Sequence, residues 1–205
     1  MAINVTTGEA RLSYVHLAEP YAYNKEQDPR YSVTVLVPKT DTSTKARIDA
    51  AVEEAKKAGA SEKWGGIIPP VVSVPLYDGD GVRPSDGMPF GDECKGHWVF
   101  TCSDKNRRPE VVDLSLNPII DQTEIYSGMY GRVCFSVYPY AHSGKKGVGF
   151  GLGPVQKTRD GEPLSGGISA AEAFGAFSQA QTQEQTAPAQ MQQTGGINPL
   201  TGMPY

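Results

Sequence analysis

The stretch Tyr130-Gly-Arg-Val-Cys-Phe-Ser-Val-Tyr-Pro-Tyr140 constrains the fold more than any other. It alternates with period two, the signature of a half-buried strand. Val133, Phe135 and Val137 make an ordinary core face. Tyr130, Arg132, Cys134, Ser136, Tyr138 and Tyr140 make the other. After the turn-forming run Ala-His-Ser-Gly-Lys-Lys comes Gly147-Val-Gly-Phe-Gly-Leu-Gly153. There Val148, Phe150 and Leu152 alternate with four glycines. Residues 130–140 and 147–157 are therefore expected to pair as a hairpin, with the tyrosine face beside the glycine face.

An outer face with three tyrosines and an arginine is unusual, because solvated strands favour Thr, Lys and Glu. Flat rings beside a fixed positive charge suit unpaired bases and phosphates. Lys145 and Lys146 at the hairpin tip add charge. Glycines on an outer face let a polymer approach the backbone closely. The residues equally allow Tyr138 and Tyr140 to lie across the glycines and fill that space. Gly149-x-Gly151-x-Gly153 is not a dinucleotide fingerprint, because the spacing is wrong and no helix follows.

Charge is distributed unevenly along the 205 residues. There are 19 basic side chains, all at or before Arg159, and 23 acidic ones. Four acids follow that point, so the first 159 residues are neutral (19 against 19) and the remainder carries the net −4. Local clusters then matter more than the total: Lys105-Asn-Arg107-Arg108 and Lys145-Lys146 are the clearest. Three cysteines without a Cys-x-x-Cys suit free thiols in a reducing cytoplasm. The spacing of Cys94, His97 and Cys102 matches no standard zinc pattern. No apolar run approaches the roughly 18 residues of a membrane span, and the N-terminus does not read as a signal peptide.

Strands are expected at Glu9–Leu17, at Tyr31–Val37 with Val33, Val35 and Val37 inward, and at Gly96–Cys102. Trp98 and Phe100 share a face of the last, either core or groove. A polar loop, residues 21–30, carries Tyr21 and Tyr23 at its mouth. A helix is expected over Ser43–Ala58, with Ile48, Ala51, Val52 and Ala55 buried, Glu53 paired to Lys57 and Gly59 as its stop. Asp78-Gly-Asp80 reads as a turn, since two aspartates alone make a poor metal loop. About five principal strands and one covering helix favour a mainly β fold, a five-stranded OB-type Greek-key barrel with long loops, over residues 1–165. A short helix is expected within residues 166–178. Residues 179–205, with seven glutamines and one charge, are expected to be disordered and to end in an apolar motif of Leu200, Met203 and Tyr205.

The collinear set Tyr31-Ser-Val-Thr-Val-Leu-Val-Pro-Lys-Thr-Asp41, Asp78-Gly-Asp80, Gly96-His-Trp98, Tyr126-Ser-Gly-Met-Tyr-Gly-Arg132 and Asp160-Gly-Glu-Pro-Leu-Ser-Gly-Gly167 resembles a phage family of OB-fold single-stranded DNA-binding proteins, long catalogued as a domain of unknown function. The resemblance covers about residues 5–175. It implies a protein that coats single-stranded DNA in phage replication and recombination within the host cytoplasm, with no catalysis and no cofactor. The strand-face argument supplies the contact residues: Tyr130, Arg132, Tyr138, Tyr140, Lys145, Lys146, Lys105, Arg107, Arg108, Trp98, Phe100 and Tyr23. Duplex DNA is left open as a second ligand. The terminal motif suits a replication or recombination partner, although such tails are usually strongly acidic and here Glu184 is the one acid among the last thirty or so residues. Two other classes fit the sequence less well. A metal-dependent nuclease needs clustered acids or histidines, and His16, His97 and His142 are scattered. A capsid-decoration barrel leaves the arginine among tyrosines without a purpose.

Overall fold

The computed structural model describes residues 2–142 and 144–164; the expected 166–178 helix and the tail lie outside them. Eight strands form one sheet: β1 (Ile3–Thr6), β2 (Ala10–Tyr21), β3 (Arg30–Pro38), β4 (Leu76–Asp78), β5 (His97–Asp104), β6 (Val111–Val112), β7 (Tyr130–His142) and β8 (Lys145–Arg159). Among the described residues a single α-helix, α1 (Thr42–Glu62), follows β3. The strand order is β1-β7-β2-β3-β5-β8-β6, with β4 beside β5 and β7 also paired to β8. The fold is mainly β with one helix, as the periodicity predicts, but has eight strands where five were expected, and they form one sheet running from β1 to β6 rather than the expected five-stranded barrel. The additional ones, β1, β4 and β6, are four, three and two residues long. Runs so short carry no visible alternation, and Val111-Val-Asp113 reads from sequence only as a short edge or connecting piece.

The β7–β8 hairpin forms in the expected register, with Tyr138 opposite Gly149 and Tyr140 opposite Gly147. Between the pairs Val133–Val155 and Phe135–Leu152, β8 contains Gly153 and Pro154 where β7 contains only Cys134. This bulge is where a proline, lacking an N–H for the ladder, can be accommodated. Val33, Val35 and Val37 are buried with Leu12, Val133, Val137 and Val155. At the centre Phe100, Phe135 and Phe150 meet pairwise, with ring centroids 5.0, 5.4 and 5.1 Å apart. Phe100 is 1% exposed, so it belongs to the core and not to a binding face. Leu36 and Val99 point the other way and form a small second cluster with Cys94 and Phe90. Cys94 and Cys102 thus belong to opposite faces of the sheet. Burial pushes the Cys94 thiol up to about 11 and the Cys102 thiol well above its ordinary range.

Helix α1 begins where Asp41 accepts a hydrogen bond from the Thr44 N–H at 2.9 Å, a standard side-chain cap. Its buried stripe is the expected one, Ile48, Ala51, Val52 and Ala55, packed against β1, β7 and β8. Glu53 pairs with Lys56 at 2.7 Å rather than with Lys57. The expectation that Gly59 ends the helix is corrected, since α1 continues to Glu62. Gly59 instead makes room. A Cβ there would lie 2.7 Å from the Trp64 ring and 2.8 Å from Pro139 Cβ. The buried Trp64 turns back beneath the helix and donates its indole N–H to the Tyr140 carbonyl at 2.9 Å. Gly59→Ala therefore sets a helix-propensity gain of about 1 kcal/mol against an overpacking cost of about 1–3 kcal/mol. Both neighbours are rigid, so a lower melting temperature is expected in thermal denaturation.

Candidate nucleic-acid interface

Strand register brings together residues that are far apart in sequence. On the sheet face turned away from the core, Asn4 is opposite Ser136, Ser136 opposite Gly151 and Gly151 opposite Ser103. Two residues back on β5, Thr101 is opposite Thr34, and their hydroxyls are 2.9 Å apart. Partners in register share a face, so small residues run across β1, β7, β8, β5 and β3 as one shallow trough. A cleft of about 330 Å³ opens along its β1–β7–β8 part, with Asn4, Cys134, Ser136, Gly151 and Gly153 beneath Arg107 and Glu110. Past Thr34 and Thr101 lies a second cleft of about 240 Å³, walled by Tyr14, Tyr77, Phe90 and Arg83. Tyr14 is exposed and holds φ at +46°, a conformation costly for an aromatic residue and common at functional positions.

Tyr138 and Tyr140 flank the trough. A Cβ at Gly149 would lie 2.7 Å from the Tyr138 ring, and one at Gly147 2.6 Å from the Tyr140 hydroxyl. The rings therefore lie across those two glycines, the second of the arrangements the residues allowed. Gly151 and Gly153 are close-packed as well, a Cβ there lying 2.5 Å from the Ser136 hydroxyl and 2.7 Å from the Cys134 carbonyl oxygen. Tyr138 keeps 38% of its surface in water, while Tyr140 is half-buried.

The remaining candidates are placed differently from one another. Arg107 overhangs the first cleft, and its loop is shaped by Asp104, whose carboxylate accepts from the Asn106 and Arg107 N–H groups at 2.8 and 2.9 Å. Arg108, Arg132 and Lys145 are exposed. Lys105 bonds Asp28 at 2.6 Å, holding that carboxylate below its usual range and clipping the basic loop to the 22–29 loop that carries exposed Tyr23. Lys146 donates to the Trp64 carbonyl at 3.0 Å and so anchors the strap under α1. Tyr130 is covered on one face by Arg159, whose guanidinium is 3.4 Å from the ring centroid and is held by Glu9 at 3.0 Å. Trp98 is half-buried beneath the Lys39 and Lys45 ammonium groups, 5.2 and 4.6 Å from its ring. Lys39 is clamped by Asp78 and Asp80 at 2.5 and 2.6 Å, which is what the Asp78-Gly-Asp80 turn does. Arg107 lines the first cleft, Tyr138 lies next to Gly151 on the same face, and Tyr140 lies farther along β7 over Gly147. Phe100 lies in the core, and Trp98 and Tyr130 carry cations of their own. Leu200, Met203 and Tyr205 lie outside the described residues.

Sheet face, trough and flanking rings define a class: modules that take a chain-like ligand across an open strand surface rather than a small molecule in a closed pocket. The chain belongs to the family described as the Enterobacter phage Enc34 ssDNA-binding protein, which matches residues 3–186. Among solved structures, the single-stranded DNA-binding protein from bacteriophage Enc34 in complex with ssDNA is 28% identical, with a TM-score of 0.66 and 79% of this chain and 89% of that one covered. A further structure of the single-stranded DNA-binding protein from bacteriophage Enc34 is 27% identical, with a TM-score of 0.62 and coverage of 83% of this chain and 89% of that one. The single-stranded DNA-binding protein gp2.5 of bacteriophage T7, 18% identical with a TM-score of 0.53 over 95% of this chain and all of that one, shares the fold. Comparison with curated proteins finds no match. Among the described residues no helix is long and apolar enough to cross a membrane.

Proposed function

We infer that this chain coats single-stranded DNA with little sequence preference, without catalysing a reaction, during phage replication or recombination in the host cytoplasm. The observation that carries the reading is the small-residue trough crossing five strands, flanked by Tyr138, Tyr140 and Arg107. A trough gives a backbone room, rings give any base a face to stack on, and guanidinium groups hold phosphates without reading sequence. Family membership supports the same ligand. An OB-type description of the fold is supported by the five longer strands β2, β3, β5, β7 and β8 with one helix, arranged in one sheet and not as a closed barrel. Three free thiols fit a reducing compartment. The terminal Leu200, Met203 and Tyr205 provide an apolar anchor for a replication or recombination protein, and recovery of the same proteins by full-length and truncated chains from infected cells would exclude that role.

The test of DNA binding is a titration of labelled single-stranded and duplex oligonucleotides of unrelated sequence at several salt concentrations, with magnesium present in one arm. Arg107, Arg108, Arg132 and Lys145 engaging one phosphate each give a slope of log affinity against log salt of about −3 on single strands. Affinities should agree between sequences, and the magnesium arm should show no cleavage. A flat salt response, or binding confined to one sequence, defeats the reading. The duplex arm decides whether double strands are a second ligand.

A further inference from the structure

The fold leaves two apolar patches in water at opposite ends of one strand. Ile67, Ile68 and Val71 are exposed in the segment between α1 and β4; Leu114, Leu116 and Ile120 are exposed after β6. The first segment is tied to the start of β8. Ser73 bridges Gly147, accepting from the Val148 N–H at 2.8 Å and donating to the Lys146 carbonyl at 3.3 Å. The second is tied to the far end, where Val112 pairs with Gln156 and the Gln156 side chain donates to the Asp113 carbonyl at 3.2 Å. From Gly147 to Gln156 the strand runs about 30 Å.

Their borders carry opposite charge. Beside the first patch are Lys63 and Lys146. The ammonium groups of Lys63 and Lys146 donate to the neutral carbonyls of Pro139 and Trp64, at 3.0 Å each, so their charge is not cancelled there. Glu62 is the acid of that stretch. Beside the second patch are Asp113, Asp121 and Glu124. Asp113 and Asp121 accept from backbone N–H, amide and hydroxyl groups of their own turns, which holds both carboxyls below their ordinary range and therefore ionised. Glu124 is 3.5 Å from Lys157.

We propose that these patches are the two halves of a head-to-tail contact between neighbouring copies of this chain on one DNA strand. The proposal rests on the single-strand-binding reading. Unlike patches that match each other in apolar character and complement each other in charge cannot close a two-fold dimer, because a two-fold axis brings a patch onto itself. They repeat in one direction instead. Each patch is small, so the contact is weak in free protein and counts only when DNA holds copies side by side at high effective concentration.

The test uses the full chain, with Ile67→Asp/Val71→Asp and Leu114→Asp/Ile120→Asp as variants and the serine pairs as milder versions. Oligothymidylates that hold one molecule, two molecules and many are the probes. Wild type should bind the longest at least about tenfold more tightly per site than the shortest. Each variant should match wild type on the one-molecule probe within about twofold and lose most of that gain. Mixing the two variants on the two-molecule probe should restore part of it, because one of the two possible orders joins two intact patches. Weaker binding of either variant to the shortest probe would mean that the patch touches DNA and would overturn the contact. So would a mixture that restores nothing, or variants with undiminished gain. Failure of wild type to bind even the shortest probe overturns the DNA reading itself, and this contact with it.

Discussion

Replacing Phe100 by alanine is expected to cost about 3–5 kcal/mol of folding stability, the range for emptying an aromatic site in a close-packed core. Its ring is 1% exposed and meets both Phe135 and Phe150. It also sits on β5 between β3 and β4, where the surrounding sheet cannot collapse into the space. For a domain of this size such a loss lowers the melting temperature by on the order of ten degrees. The protein that remains folded at low temperature should bind single-stranded DNA as wild type does, because Phe100 offers no surface to a base. Denaturant melts combined with a DNA titration on the same sample check both halves. A loss of affinity without a loss of stability would place Phe100 at the interface and contradict the packing described above.

Tyr138→Ala is expected to do the reverse. Its ring rests on Gly149 with the opposite face in water, so a base can stack on it without displacing anything. Loss of one stacked base weakens binding by about 1–3 kcal/mol. Folding should lose less, on the order of 0.2–1 kcal/mol for a cross-strand pair. Tyr138→Phe keeps the ring and should keep most of the affinity. If Tyr138→Ala melts much earlier than wild type and binds equally well when folded, the ring is a cover for the glycine strand and nothing more. Tyr140 is a poorer probe, since it is half-buried against Gly147 and its carbonyl holds the Trp64 strap.

The difference between these two aromatics marks where sequence reasoning was strong and where it ended. The period-two runs in β3, β7 and β8 made the inward valines and the hairpin register legible, because a one-residue slip would turn the core face out to water. The helix stripe was legible for the same reason. Trp98 and Phe100 are two apart and share a face, and β5 is apolar on both sides, so alternation could not separate core from surface. Only the pairing of β5 with β3, β4 and β8 decides it. Gly59 was misread because a stop signal and a close approach use the same residue. The trough was invisible for a deeper reason. Asn4, Thr34, Thr101, Ser103, Ser136 and Gly151 are unremarkable one by one, and register alone lines them up. Tyr14, Tyr77 and Phe90 come from three separate segments and had no shared spacing to find.

The two ends of the sheet have a consequence for solubility. The strand path finishes at β1 and β6, which are four and two residues long. A long free edge displays a row of unpaired N–H and C=O groups that another chain can extend, and this is how β proteins aggregate. The hazard grows with crowding, and a protein that lines up many copies on one strand crowds itself. End strands of two and four residues offer few bonds to template such growth. If copies touch along the DNA as proposed, short end strands let them do so without fusing their sheets there.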